Sequence, residues 1–119
     1  MSTLNVSNIS DGTDTVETGY VVNGSAKAWA SLNGSFSVDD SFNVSSSADL
    51  GIANSQITYA NSLTGFPAVS VEADASAAAP WFTVVDSITA DNASAVTFDN
   101  NGGKQDGRSP YYIIHGDLA

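Results

Sequence analysis

Cysteine is absent from this chain, and basic residues are nearly so: three stand against thirteen acids in 119 residues, for a formal net charge of −10. The first absence excludes disulfides and thiolate metal sites. The second excludes a nucleic-acid backbone as partner, because neutralising phosphates takes Lys and Arg in number. It disfavours an anionic membrane surface for the same reason. No apolar run approaches the length of a membrane span. The opening MSTLNVSNIS has neither a basic start nor a continuous apolar stretch, so the sequence predicts synthesis in the cytoplasm without a secretory signal. Strong helix formers are also scarce, with two glutamates and one methionine.

What is present is a vocabulary of Ser, Thr, Asn, Asp, Gly and Ala. The apolar fraction of 42% leans on alanine, which contributes little transfer free energy per residue. One domain of this size buries about two thirds of its unfolded surface. A core this thin predicts that partner subunits add stability.

Period-2 segments run along the chain. Ala26, Ala28, Ala30 and Leu32 alternate with Lys27, Trp29, Ser31 and Asn33, giving two distinct faces of one strand. Asn33-Gly34 is a hairpin dipeptide, with Phe36-Val38 after it. Phe42-Val44, Ile57-Tyr59 and Val69-Val71-Ala73 repeat the alternation, and Trp81 to Val85, Ala95 to Phe98 and Tyr111 to Ile114 close the series. Turn signals recur every ten to fifteen residues, roughly the spacing of sandwiches and small barrels. The expected fold is all-β: an antiparallel, jelly-roll-like β-sandwich over residues 21–119. Residues 1–20 read as either a frayed terminus or an extended arm that pairs with a neighbouring chain or another protein.

Candidate sites are few. His115 and Asp117 would share a strand face, but no Gly-x-Ser-x-Gly elbow accompanies them, and the chain reads as non-enzymatic. Asp39-Asp40 are adjacent and would point to opposite faces, so they do not form a facing carboxylate pair. Asp99, Asn101 and Asp106 form an oxygen-rich loop that could hold a cation. The EF-hand frame fails there, since Lys104 and Pro110 occupy its glycine and glutamate positions. Asn-x-Ser sequons, as at Asn43, follow from the Asn/Ser-rich composition. No cofactor is implied.

The pairs Trp81-Phe82 and Tyr111-Tyr112 put aromatics on both faces of their strands, for subunit burial or for stacking on sugar. Loops 48–54, 74–80 and 99–110 are the expected contact surfaces, with Trp81, Lys104, Arg108 and Tyr111 as receptor-contact candidates. Ala26, Ala28, Trp29, Ala30, Leu32, Phe42 and Val44 are the expected core and seam residues. Within that set the Trp29 face is expected to close the core, and the alanine face to lie nearer a subunit seam.

The blocks MSTLNVSNI, Gly24-Ser25-Ala26-Lys27-Ala28-Trp29, Asn33-Gly34 and Ser41-Phe42-Asn43-Val44-Ser45-Ser46, with the ending YYIIHGD, resemble a family of short bacteriophage tail-fibre proteins of marine and freshwater (cyanophage) type. The likeness runs along the chain and is sharpest from Gly24 to Ser46. Ala30 and Leu32 stand where the family has valine and an aromatic, and Gln56 to Ala60 replaces a Tyr-Thr-Val-Asn-Phe type strand. The resemblance implies a virion protein: a homo-oligomer, trimeric in the family, near a fibre end. Residues 1–20 would engage tail or baseplate proteins, and loops would face a host glycan or protein. A capsid decoration protein and a carbohydrate-binding module are the alternatives.

Overall fold

The computed structural model describes residues 1–73, 81–106 and 109–118. Ten strands and one short helix follow one another along the chain: β1 (Asn8–Ser10), β2 (Thr15–Glu17), α1 (Thr18–Gly24), β3 (Ala28–Leu32), β4 (Val38–Phe42), β5 (Val44–Gly51), β6 (Asn54–Tyr59), β7 (Leu63–Ala73), β8 (Phe82–Ile88), β9 (Asn92–Phe98) and β10 (Pro110–Leu118). Two four-stranded sheets carry the fold, the first ordered β4-β3-β10-β7 and the second β5-β6-β9-β8, and every pairing is antiparallel. The protein is therefore all-β. Three connections, β3–β4, β5–β6 and β8–β9, are hairpins within one sheet. The other four connections between β3 and β10 pass from one sheet to the other.

The sheets meet through one core. Ala28, Ala30, Leu32, Tyr112 and Ile114 from the first sheet pack on Ile57, Tyr59, Ala93 and Ala95 from the second, with Phe36 and Leu63 at the two ends. The alternation along β3 is therefore real, but its faces are reversed from the expectation. Ala28, Ala30 and Leu32 point inward and Trp29 points outward, 36% exposed. The reason lies on β10, where Tyr112 stands opposite Ala30 and Ile114 opposite Ala28. Large side chains on one strand and small ones on the next let the sheets interdigitate at normal packing density. The alanines do permit close approach of another sheet, and that sheet belongs to the same chain. Of the other expected core or seam residues, Phe42 is exposed, while Ala26 and Val44 are half-buried.

Two left-handed residues shape the first sheet. The β3–β4 connection is a five-residue loop hung on Asn33. Its Oδ1 accepts from the Ser35 and Ser37 N–H groups (2.9 and 3.1 Å), and its carbonyl accepts from Phe36 N–H (2.9 Å). Phe36, not Gly34, takes the positive φ of 60° and turns its ring into the core. That backbone costs about 1–2 kcal/mol, less than the roughly 2–3 kcal/mol that burying a phenylalanine contributes.

Asn43 (φ 53°) is the second. It ends β4 and starts β5, so the stretch read as one alternating Phe42-Val44 strand is broken and passes from one sheet to the other. Asparagine tolerates this region best among residues with a side chain.

Residues 1–24 stand apart from the core. β1 and β2 pair in register Asn8–Glu17, Ile9–Val16, Ser10–Thr15, folded back rather than extended. Their turn is built by Asp11, whose Oδ1 accepts from Thr13 and Asp14 N–H (2.9 Å each), with Gly12 at φ 100°. The Asp14 and then the Thr13 N–H hold the Asp11 carboxyl below its usual range. Helix α1 follows, spanning the expected boundary at residue 20, and buries no residue. The radius of gyration is 16.8 Å and the extents are 50 × 29 × 23 Å, against roughly 13–14 Å for a compact domain of this length. The arm makes the difference.

Candidate functional site

Strand directions divide the sandwich into two poles. β3, β5, β7 and β9 run one way, and β4, β6, β8 and β10 run back. The pole where β3 begins carries the arm, the Asn43 corner, residues 60–62 and 89–91, and the end of β10. The opposite pole carries the β3–β4 loop, the β5–β6 turn, the end of β7, the start of β8, and residues 99–106 after β9. Of the loops singled out in the sequence, residues 48–54 prove to be the ends of β5 and β6 with the turn between them, and they and the described residues of 99–110 lie at the pole away from the arm.

At the loop pole the segment from Asp99 is an organised structure. Asp99 Oδ1 accepts from the Asn101 and Gly103 N–H groups (2.8 Å each), and its Oδ2 accepts from Gln105 Nε2 (3.0 Å). The Gly103 N–H, with Asn101 behind it, holds the Asp99 carboxyl below the usual carboxylate range. The chain then returns along β9: Lys104 bridges to Phe98, and Gln105 N–H donates to the Thr97 carbonyl (3.2 Å). Asp106 reaches sideways instead, its Oδ1 accepting from Ala53 N–H in the β5–β6 turn. Loops 48–54 and 99–106 are in this way tied into one surface, from which Leu50 and Ile52 project into solvent.

The cation candidates are separated by the same bonds. Asp99 is turned inward onto N–H donors of its own loop, and Asp106 onto a different turn. Among the described residues, no three acidic or histidine side chains gather where an ion could be held. Asp39 and Asp40 also have separate employments: Asp39 accepts from Asn33 Nδ2 (3.3 Å), and Asp40 from Ser41 N–H (2.9 Å). His115 and Asp117 lie on β10 opposite Ala68 and Thr64, with a register shift between them that sets four residues of β7 against two of β10.

Of the receptor-contact candidates, Tyr111 is exposed on the outer face of the first sheet, and Lys104 is exposed too, its backbone bridging to Phe98. Trp81 is half-buried just before Phe82, whose ring stacks on Phe98 at 5.3 Å. Arg108 and loop residues 74–80 lie outside the described residues.

Two features were missed from sequence. One is the corner at the arm pole. Asn43 Nδ2 donates to the carbonyls of Lys27 (3.0 Å) and Asn61 (3.3 Å), and its Oδ1 accepts from Asn61 N–H and Nδ2 (2.8 and 2.9 Å). Lys27 donates from Nζ to the Val22 carbonyl and to Ser25 Oγ (2.7 Å), clasping the end of α1. The available signal was an asparagine interrupting an apolar pair. The second is the outer face of the first sheet. Phe42, Trp29 and Ile113 stand side by side in register across β4, β3 and β10, with Tyr111 two residues along, and all four are exposed.

No helix is long and apolar enough to cross a membrane among the described residues. Compared with known proteins, the chain matches no family model, no curated protein and no solved structure.

Proposed function

We propose that this protein is a non-enzymatic structural component of a bacteriophage virion, a tail-fibre protein that assembles as a homotrimer. The arm pole faces the tail, where residues 1–20 join the fibre to tail or baseplate proteins. The loop pole faces outward, and the surface made by residues 48–54 and 99–106 meets host glycan or protein.

The observation that carries this reading is the opposition of the two poles. An arm with no buried residue leaves from one end, and the organised loops stand at the other, in a molecule 50 Å long with its arm. Attachment and recognition need that separation, and binding residues belong on loops over a rigid scaffold. The blocks from Gly24 to Ser46 add the resemblance to phage fibre proteins.

Gold-labelled antibody against the protein, imaged on intact particles, tests the assignment. Label at the tail tip is the expected result. Label spread over the head would make the protein a capsid decoration subunit, and absence from purified particles would end the virion reading. Purified protein should also compete with particles for adsorption to host cells.

A further inference from the structure

Among the described residues, nineteen large apolar side chains are exposed, against eight buried ones larger than alanine. A surface so much richer in large apolar groups than the core beneath it calls for a cover. The exposed set falls into recognisable places. Eight of the nineteen lie in residues 1–24, among them Leu4, Val6, Ile9, Val16, Tyr20 and Val22. On the sandwich the row Phe42–Trp29–Ile113, with Tyr111 beside it, is a contiguous exposed group.

Neither surface is explained within one chain. β1 and β2 form a two-stranded hairpin of three residues a side, a unit that is marginal in water without something to pack on. Ile9 and Val16 form a cross-strand apolar pair on it with nothing beneath. The row on the first sheet, conversely, is flat and open. α1 rests against β10 and is clasped by Lys27, the residue before the strand that carries Trp29. The arm thus leaves the body at the margin of the very face that lacks a cover.

Area decides what the cover is. Aromatic side chains present about 150–250 Å² each, so four half-exposed side chains offer on the order of 400 Å². A stable interface needs roughly 800 Å² per partner. Two copies placed face to face on this row would fall short. With an arm laid across the row instead, each copy covers both its own row and the apolar side chains of its own arm, eight of which are exposed in residues 1–24.

We infer that residues 1–24 of one copy dock on the outer face of the first sheet of a second copy, over Trp29, Phe42, Ile113 and Tyr111. The contact is heterologous, so each copy gives an arm and receives one, and the arrangement closes into a ring when the rotation allows. This rests on the assembly part of the reading above and leaves the arms gathered at the pole that faces the tail. Its failure is distinguishable from failure of that reading, because particle labelling does not depend on how subunits contact one another.

Complementation between full-length chains tests it. Ile113→Asp charges the face and leaves the arm; Ile9→Asp with Tyr20→Asp charges the arm and leaves the face. Each changes exposed positions only, and circular dichroism melting checks the fold; Phe42→Asp replaces Ile113→Asp should that chain not fold. By sedimentation velocity the wild type should associate, and each variant alone should associate at least about tenfold more weakly (~1.4 kcal/mol). An equimolar mixture should form a one-to-one complex through the remaining good arm and good face. Emission of Trp29, read in a Trp81→Phe background, should shift to the blue in that mixture and in neither variant alone.

Three results would overturn the inference. The arm-charged chain could assemble as wild type does, which would mean that faces meet faces. The mixture could stay apart. The wild type could remain a single chain at concentrations on the order of 100 µM, weaker than any functional interface of this size.

Discussion

Tyr112 Oη donates to the Ser55 carbonyl at 3.0 Å and accepts from Ser55 Oγ at 2.8 Å, so one phenol links β10 of the first sheet to β6 of the second through the middle of the core. Both residues are about 1% exposed. A hydroxyl has one proton to give, and the carbonyl takes it, which leaves Ser55 Oγ as donor of the shorter bond.

Removing one partner should therefore cost more than removing both. Tyr112→Phe strands the Ser55 hydroxyl and carbonyl and should lower unfolding free energy by about 1–3 kcal/mol. Ser55→Ala should cost about the same, and the double variant should fall short of the sum. A double-mutant cycle by chemical denaturation reads the coupling; strictly additive losses would show that the bond contributes nothing specific.

The same burial sets the alkaline limit. Desolvation pushes Tyr112 up to about 12, partly opposed by the Ser55 bond, and pushes Tyr59 up to about 12. A raised folded-state value favours the protonated form in the native state, so stability is intact below about 10, the ordinary tyrosine value, and declines as pH rises towards 12. Melting temperature against pH should be flat up to the lower value and fall steeply above it. Tyr112→Phe should shallow that fall even though the variant is less stable at neutral pH.

At the corner between sheets, Asn43 supplies both a left-handed backbone and four side-chain hydrogen bonds. Asn43→Gly keeps the first and loses the second; Asn43→Ala loses both. Both variants should be destabilised, with the alanine variant worse by about 1 kcal/mol. Equal melting curves for the two would mean that the backbone relaxes out of the left-handed region.

Charge predicts how assembly responds to salt. Each copy carries a net charge of −10, its three bases included. Repulsion between copies should weaken as the screening length drops from about 30 Å at 0.01 M to about 8 Å at 0.15 M. Light scattering at fixed protein concentration should show association rising over that range; association that falls with salt would point to ion pairs at the seam.

The alternation of β3 and the antiparallel strands could be read from the sequence because they rest on local pattern. Which face of β3 lies inward could not. Two-residue alternation is symmetric with respect to inside and outside, and the choice is made by Tyr112 and Ile114, some eighty residues further along. The Asn43 break was hidden by Phe42 and Val44, which fit one continuous strand as well as two. Asn33-Gly34 marked the right hairpin but the wrong left-handed residue, since the hold of Asn33 on its own loop and the pull of the core on Phe36 outweigh the usual preference for glycine. The bonds from Asp99 and Asp106 join segments that composition alone describes only as polar.

The antiparallel winding has a consequence for change over time. β3 enters the sandwich at the arm pole, and β10 returns to that pole. The opposite rim is made only of connections, each held by strands that bury their own side chains. Substitutions, or even exchanged segments, at positions 34–35, 50–52 or 100–103 would leave the core and the attachment end untouched. Such a body works as a display scaffold, on which the outward rim can be rewritten while the rest of the chain stays as it is.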